Sequence, residues 1–210
     1  MSVFLLEIVY QSGMETNSSE LEAIFDSIWK NLKLGAIDRK HPFHLCTLST
    51  INSKNTSFPD SRIVVLREAD QNLLTLHSHA DVRTNKCEDI KQNKHTQLLF
   101  YDKSSKIQVR IKAESEIIVN KSIISAIWEK SQEVSQRCYF VPLAPSTEIE
   151  TPFNNNMLDL KNKNLGLNVF ALLTSKVKEI DWLELNYDGH RRCKFEISDS
   201  KLSKSVWLIP

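Results

Sequence analysis

The 210-residue chain has only four glycines, Gly13, Gly35, Gly166 and Gly189, and no two are neighbours. Dinucleotide fingerprints and P-loops need clustered glycines so that backbone amides can approach phosphate, and both are therefore excluded. Any phosphate has to be held by side chains. Four cysteines (Cys46, Cys87, Cys138, Cys193) form no CxxC pair, which speaks against a metal ribbon or disulfide framework and fits reduced thiols in a cytoplasmic protein. No apolar run approaches the ~18 residues of a membrane span. The apolar start MSVFLLEIVYQSG is broken by Glu7 and has no positive leader, so it reads as an ordered segment rather than a signal peptide. A formal net charge of +1 excludes a general nucleic-acid surface or a polybasic membrane patch.

The remaining composition, 41% hydrophobic and 25% charged, is that of one globular domain over residues 1–210. Apolar residues Leu21, Ile24, Phe25, Ile28, Trp29 and Leu32 fall at helical spacing, with Ser18 or Ser19 as N-cap and Gly35 as the stop. Strands are expected at 43–51, 61–69, 73–79, 96–102 and 106–119, a short helix at 82–93, and a longer helix at 121–139. A loop with three prolines and an Asn run occupies 141–164, and two last strands follow near 168–186 and 191–198. Short strands at regular spacing with few helices predict a mainly β fold, a closed or partly closed antiparallel barrel with flanking helices.

The sharpest local feature is DVRTNK, Asp81–Lys86, between a strand and a helix. A helix start offers free amides and a favourable dipole to an anion, Arg83 and Lys86 add charge, and Thr84 adds a hydroxyl. This is the chemistry of a glycine-free monophosphate site, weighed against a merely solvated helix start. Elsewhere the signals are weaker. His77 and His79 alternate onto one strand face, but no third ligand follows, so no metal site is assigned. Cys46 and Cys138 have no catalytic partner motif. Arg62 and Arg67 bracket IVVL and point to opposite faces of an unbroken strand. No catalytic residue is identified.

Six segments in order, HPFHLCTLST (41–50), SRIVVLRE (61–68), HADVRTNK (79–86), LLFYD (98–102), IQVRIKAES (107–115) and HRRCKFEI with VWLIP (190–210), resemble the pyridoxamine 5'-phosphate oxidase-like proteins, the FMN-binding split barrels, and in particular a subgroup with an Asp-x-Arg-Ser-x-Lys motif. The resemblance covers about residues 20–210. It implies an antiparallel split barrel that binds FMN between the two chains of a homodimer and acts on a small molecule. By that resemblance Arg83, Thr84 and Lys86 hold the FMN phosphate, and Arg62, Ile63, Val64 and Arg67 belong to the strand that contacts the cofactor. His77 and Ser78 line the flavin, Gln108 meets its pyrimidine end, and Lys194 reaches it from the second chain. The vitamin half departs from the pattern. Ile127 and Ser131 stand where the oxidases carry a Tyr and an Arg for the substrate phosphate. Ser135 keeps a matching hydroxyl, His190 and Arg192 occupy the late substrate segment, and Leu183, or Trp182 one place earlier, replaces a tryptophan over the flavin. Two functions follow: an FMN-dependent oxidase or reductase of unidentified substrate, or a flavin- or haem-binding protein without oxidase activity, with His77, His79 and His190 as haem-ligand candidates.

Overall fold

The computed structural model describes residues 3–55, 58–153, 158 and 163–210, with side chains left undescribed at 3–17 and 163. The chain begins with a helix, α1 (Val3–Ile37). Its predicted stripe, Leu21 to Leu32, is buried, with Trp29 and Leu32 fully so. Ser18 and Ser19 lie inside this helix rather than capping it, and Gly35 does not end it. Gly35 serves close approach instead: a Cβ there would come within 2.6 Å of the Phe43 backbone. That contact presses the end of α1 onto a short 3-10 turn, Pro42–His44.

Nine strands follow among the described residues: β1 (Leu45–Ile51), β2 (Pro59–Val65), β3 (Glu68–Asp70), β4 (Thr75–Asp81), β5 (His95–Asp102), β6 (Ile107–Ile118), β7 (Phe170–Glu184), β8 (Arg191–Ser198) and β9 (Lys201–Leu208). All the pairings are antiparallel. The order is β2-β1-β5-β6-β7-β4-β3, with β8 also on β7 and β9 on β8. The split occurs along β7, whose first half pairs with β4 and whose second half pairs with β8. Inward residues alternate as a half-buried strand requires: Cys46, Leu48 and Thr50 on β1, and Val109, Ile111 and Ala113 on β6.

Four further expectations are corrected. The single strand 61–69 is two strands, because the chain turns a corner at Leu66–Arg67. The Leu66 amide donates to the His44 carbonyl (2.9 Å) and the Arg67 amide to the His77 carbonyl (2.8 Å), so this corner joins the two outer strands of the path, β2 and β3. The helix 121–139 is broken at Ser131 into α3 (Lys121–Lys130), α4 (Glu133–Gln136) and a 3-10 turn, Arg137–Tyr139. A third late strand, β9, was not anticipated. Helix α2 (Asn85–Gln92) is shorter than expected because 82–84 form its lead-in turn. In the 141–164 segment the described residues form no strand, and a short helix, α5 (Lys163–Val169), leads into β7. A second apolar cluster, Ile124, Trp128, Phe140, Phe170 and Leu172, packs α3 against the start of β7.

Candidate functional site

The turn Asp81–Thr84 closes without glycine because Asp81 supplies the bonds. Its Oδ1 accepts from the Arg83 amide (2.9 Å), and its carbonyl accepts from the Thr84 amide (3.1 Å) and hydroxyl (2.7 Å). The Arg83 guanidinium is bidentate on the same carboxylate, Nε to Oδ1 at 3.0 Å and Nη2 to Oδ2 at 2.6 Å, and Nη1 donates to the Val141 and Pro142 carbonyls. These contacts, led by the hydrogen bond to Asp81, hold Arg83 above its usual pKa. Arg83 therefore ties the turn to the 141–142 segment. Thr84 N-caps α2 but makes no side-chain cap bond.

Arg62 is also engaged. It donates to the Thr50 hydroxyl (2.8 Å) and pairs with Asp60 (2.5 Å) and with Asp89 of α2 (3.7 Å). Asp89 is only 1% exposed and accepts from Thr50 Oγ1 (2.7 Å) and the Ser53 amide (2.8 Å). Burial would raise its pKa, but these donors and Arg62 bring it below the carboxylate range. Arg62 and Asp89 thus fix α2 against β1 and β2, and with it Lys86, one turn away from Asp89 on the same helix.

Lys86 and Arg67 are different. Both line one hollow of about 520 Å³, with Ile63, Val64, His79, Ser135, Cys138 and Tyr139 among its walls. Neither makes an ion pair among the described residues, and Arg67 Nε is buried with no hydrogen-bond partner. Burial lowers the pKa of Lys86, and Arg62 repels it further against the opposing pull of Cys87 and Asp81. Burial also lowers Arg67, and Arg39 repels it. A second lobe of about 410 Å³ shares Arg39, His44, Arg67, His79 and Ser135 with the first and extends over His77, Ile127, Lys130, Ser131, Gln132 and Leu172. His44 Nδ1 donates to the Gly35 carbonyl at 2.7 Å, so the close α1 approach at Gly35 sets this wall.

The expected site residues divide. Ile63, Val64, Arg67, His77, Lys86 and Ser135 face the two-lobed hollow, as do Ile127 and Ser131 of the departing vitamin half. Ser78 is 2% exposed and alternates to the face opposite His77, away from the hollow. Gln108 lies opposite Leu183 and Lys194 opposite Asp181, at the far end of β7. Lys194 pairs with Glu196 (2.6 Å), and Arg192 is bidentate on Asp181 (3.1 and 2.7 Å). His190 is exposed in the turn before β8, so the three haem-ligand candidates are not brought together. Trp182 is buried beneath Arg191 (5.6 Å to the ring) in the barrel core, whereas Leu183 shares a register position with Gln108. Sequence reasoning missed Arg39, His44 and Tyr139, which are far from the motifs and reach the hollow only through the α1 end and the broken helix.

Comparison with known proteins agrees with this geometry. The family described as pyridoxamine 5'-phosphate oxidase, FMN-binding domain, matches residues 26–119, from within α1 to the end of β6. Over that stretch the chain is similar to the pyridoxamine 5'-phosphate oxidase FMN-binding domain. No curated protein sequence matches it. Among solved structures, an oxidase-related FMN-binding protein of Nostoc punctiforme superposes with a TM-score of 0.64 at 18% identity, over 80% of this chain and 88% of that one. PhzG of Burkholderia lata, in complex with tetrahydrophenazine-1-carboxylic acid, gives 0.58 at 13% identity, over 80% and 82%. A Clostridium acetobutylicum protein related to general stress protein 26 gives 0.50 at 12% identity, over 75% and 89%. These likenesses establish the oxidase-like split-barrel fold. No helix among the described residues is long and apolar enough to cross a membrane.

Proposed function

We propose that the hollow holds FMN and that the protein is an FMN-dependent oxidoreductase. One observation carries this reading: Lys86 and Arg67 are desolvated cations that make no ion pair among the described residues, facing one space at the start of α2. Two such cations match a phosphate dianion through charge-assisted hydrogen bonds. The first-turn amides of α2 add donors. Arg83 and Thr84 shape the turn that aims those amides, and Arg62 holds the helix in place. Ile63, Val64 and His77 give walls for the flavin, and Ser78 offers it only backbone. Bound FMN supplies hydride acceptance from a carbon beside nitrogen or oxygen; the chain supplies binding, orientation and charge.

Gln108 and Lys194 join the same flavin from a second copy of the chain, in a two-fold dimer. An amide at the pyrimidine edge both donates and accepts there, and a cation favours charge gathering at that end of the ring. His190 and Arg192 lie on the same far end and come to the substrate the same way, while Ser135 is contributed directly. Purified protein is expected to be yellow and to release FMN on denaturation; release of haem, or of nothing after incubation with excess FMN, counts against the reading.

A further inference from the structure

The second lobe carries more positive charge than a flavin phosphate uses. Arg39, Arg67 and Lys130 line it, and none of the three makes an ion pair among the described residues. Its one carboxylate among the described residues, Glu68, turns to His77 (Nδ1 to Oε2, 3.2 Å), so the lobe keeps an excess of two positive charges. Arg39 and Arg67 repel each other across the junction of the lobes. Among the described residues the Arg39 side chain hydrogen-bonds to Gln132 Oε1, which steadies the guanidinium without neutralising it. A phosphate of FMN carries about −1.5 to −2 charges and is met by Lys86 and Arg67 in the first lobe. Arg39 and Lys130 are then left over, beside the apolar walls of Ala36, Ile37, Ile127 and Leu172.

We infer that the second lobe takes a small substrate with an apolar body and an anionic group, and that Arg39 and Lys130 grip the anion. The assignment of Arg67 and Lys86 to the cofactor rests on the FMN reading; the assignment of Arg39 and Lys130 rests on the lobe itself. The grip has moved. Ser131, just after α3, spends its hydroxyl on the Ile127 carbonyl (2.8 Å), and the cations come instead from Arg39, two residues beyond α1, and Lys130, the last residue of α3.

The test is calorimetric titration of the protein with benzoate, phenyl phosphate and neutral benzamide, repeated on Arg39→Gln, Lys130→Met and Lys86→Met. At least one anion is expected to bind tenfold or more tightly than benzamide, as loss of a hydrogen bond to a charged group implies. The preferred anion shows whether the lobe is built for carboxylate or phosphate. Arg39→Gln and Lys130→Met should each lose that advantage; Lys130 lines the second lobe and not the first, so Lys130→Met should keep FMN affinity within twofold of wild type, and because both residues are exposed both variants are expected to fold. Equal binding of benzamide overturns the inference. So does an advantage that survives Arg39→Gln and Lys130→Met but falls with Lys86→Met, because the anion then sits in the first lobe. If FMN fails to bind wild type while the Arg39-dependent advantage persists, the cofactor reading falls and the anion site stands.

Discussion

His79 faces Leu172 and Gln108 faces Leu183, so the two sit eleven residues apart along β7. At a strand rise of about 3.3 Å per residue that is roughly 36 Å of chain. One chain does not present both to one flavin, and the proposed site needs two copies. Light scattering should therefore show two 24.2 kDa chains per particle. Lys86→Met and Gln108→Leu should each bind FMN poorly alone. Mixed and refolded together, they should regain tight binding at the one site per mixed dimer that keeps both residues. No recovery on mixing, or a monomer that binds FMN tightly, removes the shared site.

Thiol chemistry reports on the first lobe. Burial raises Cys46 and Cys193 to about 12 and also raises Cys87, and all three are buried. Cys138 is exposed and lines the lobe beside Lys86. One thiol per chain should react with a disulfide reagent in the native protein. Saturating FMN should slow that reaction at least severalfold, and Cys138→Ser should abolish it. Undiminished labelling with FMN bound would place the cofactor elsewhere.

Acid should loosen the site. Burial, helped by Arg67 and His77, brings His79 down from 6.5 to about 4, and its ring packs edge-on against Phe170 at 4.8 Å. Between those values the unfolded chain binds the proton that the folded chain refuses. Stability is then fully present above about pH 6.5 and falls as the pH drops toward 4. Urea midpoints measured across that window should fall more steeply for wild type than for His79→Asn. Parallel lines would show that His79 does not contribute.

Pyridoxamine and pyridoxine phosphates should be oxidised slowly, if at all, by FMN-saturated protein. Ile127 and Ser131 face the second lobe where the oxidases place a Tyr and an Arg, and the proposed anion grip of Arg39 and Lys130 lies at another point. Arg137 does not line the hollow and Arg192 is held by Asp181, so neither restores the grip. A displaced phosphate misplaces the reacting carbon, and small misplacements cost much of the rate. Peroxide release at an efficiency of about 10⁴ M⁻¹s⁻¹ or more would show that the vitamin site has been rebuilt.

Much of this was legible in the sequence because it rests on local rules. The α1 stripe follows from a period of 3.6, and the faces of β1, β4 and β6 from a period of two. The Asp81–Lys86 turn announced itself by charge beside a helix start. What escaped depended on partners distant in the chain. Nothing near Arg83 shows that its guanidinium is spent on Asp81 and the 141–142 carbonyls, nor does Arg62 reveal its buried acid twenty-seven residues on, at Asp89. Arg67 became a cavity residue only because the strand breaks at Leu66, a corner required to join the two outer strands β2 and β3. Strand β9 was missed because KLSKSVWL is half polar and packs on β8 with little burial.

The central claim is that Lys86 and Arg67 hold the phosphate of a flavin. Fluorescence titration of the protein stripped of any bound ligand, with FMN and with riboflavin, tests it most directly, in wild type, Lys86→Met and Arg67→Met. Removing one charged partner of a desolvated pair costs about 2–5 kcal/mol. FMN should therefore bind wild type far more tightly than riboflavin, and each variant should lose most of that difference while riboflavin binding stays the same. Equal affinity of wild type for FMN and riboflavin, or an FMN preference that survives both substitutions, would contradict the account.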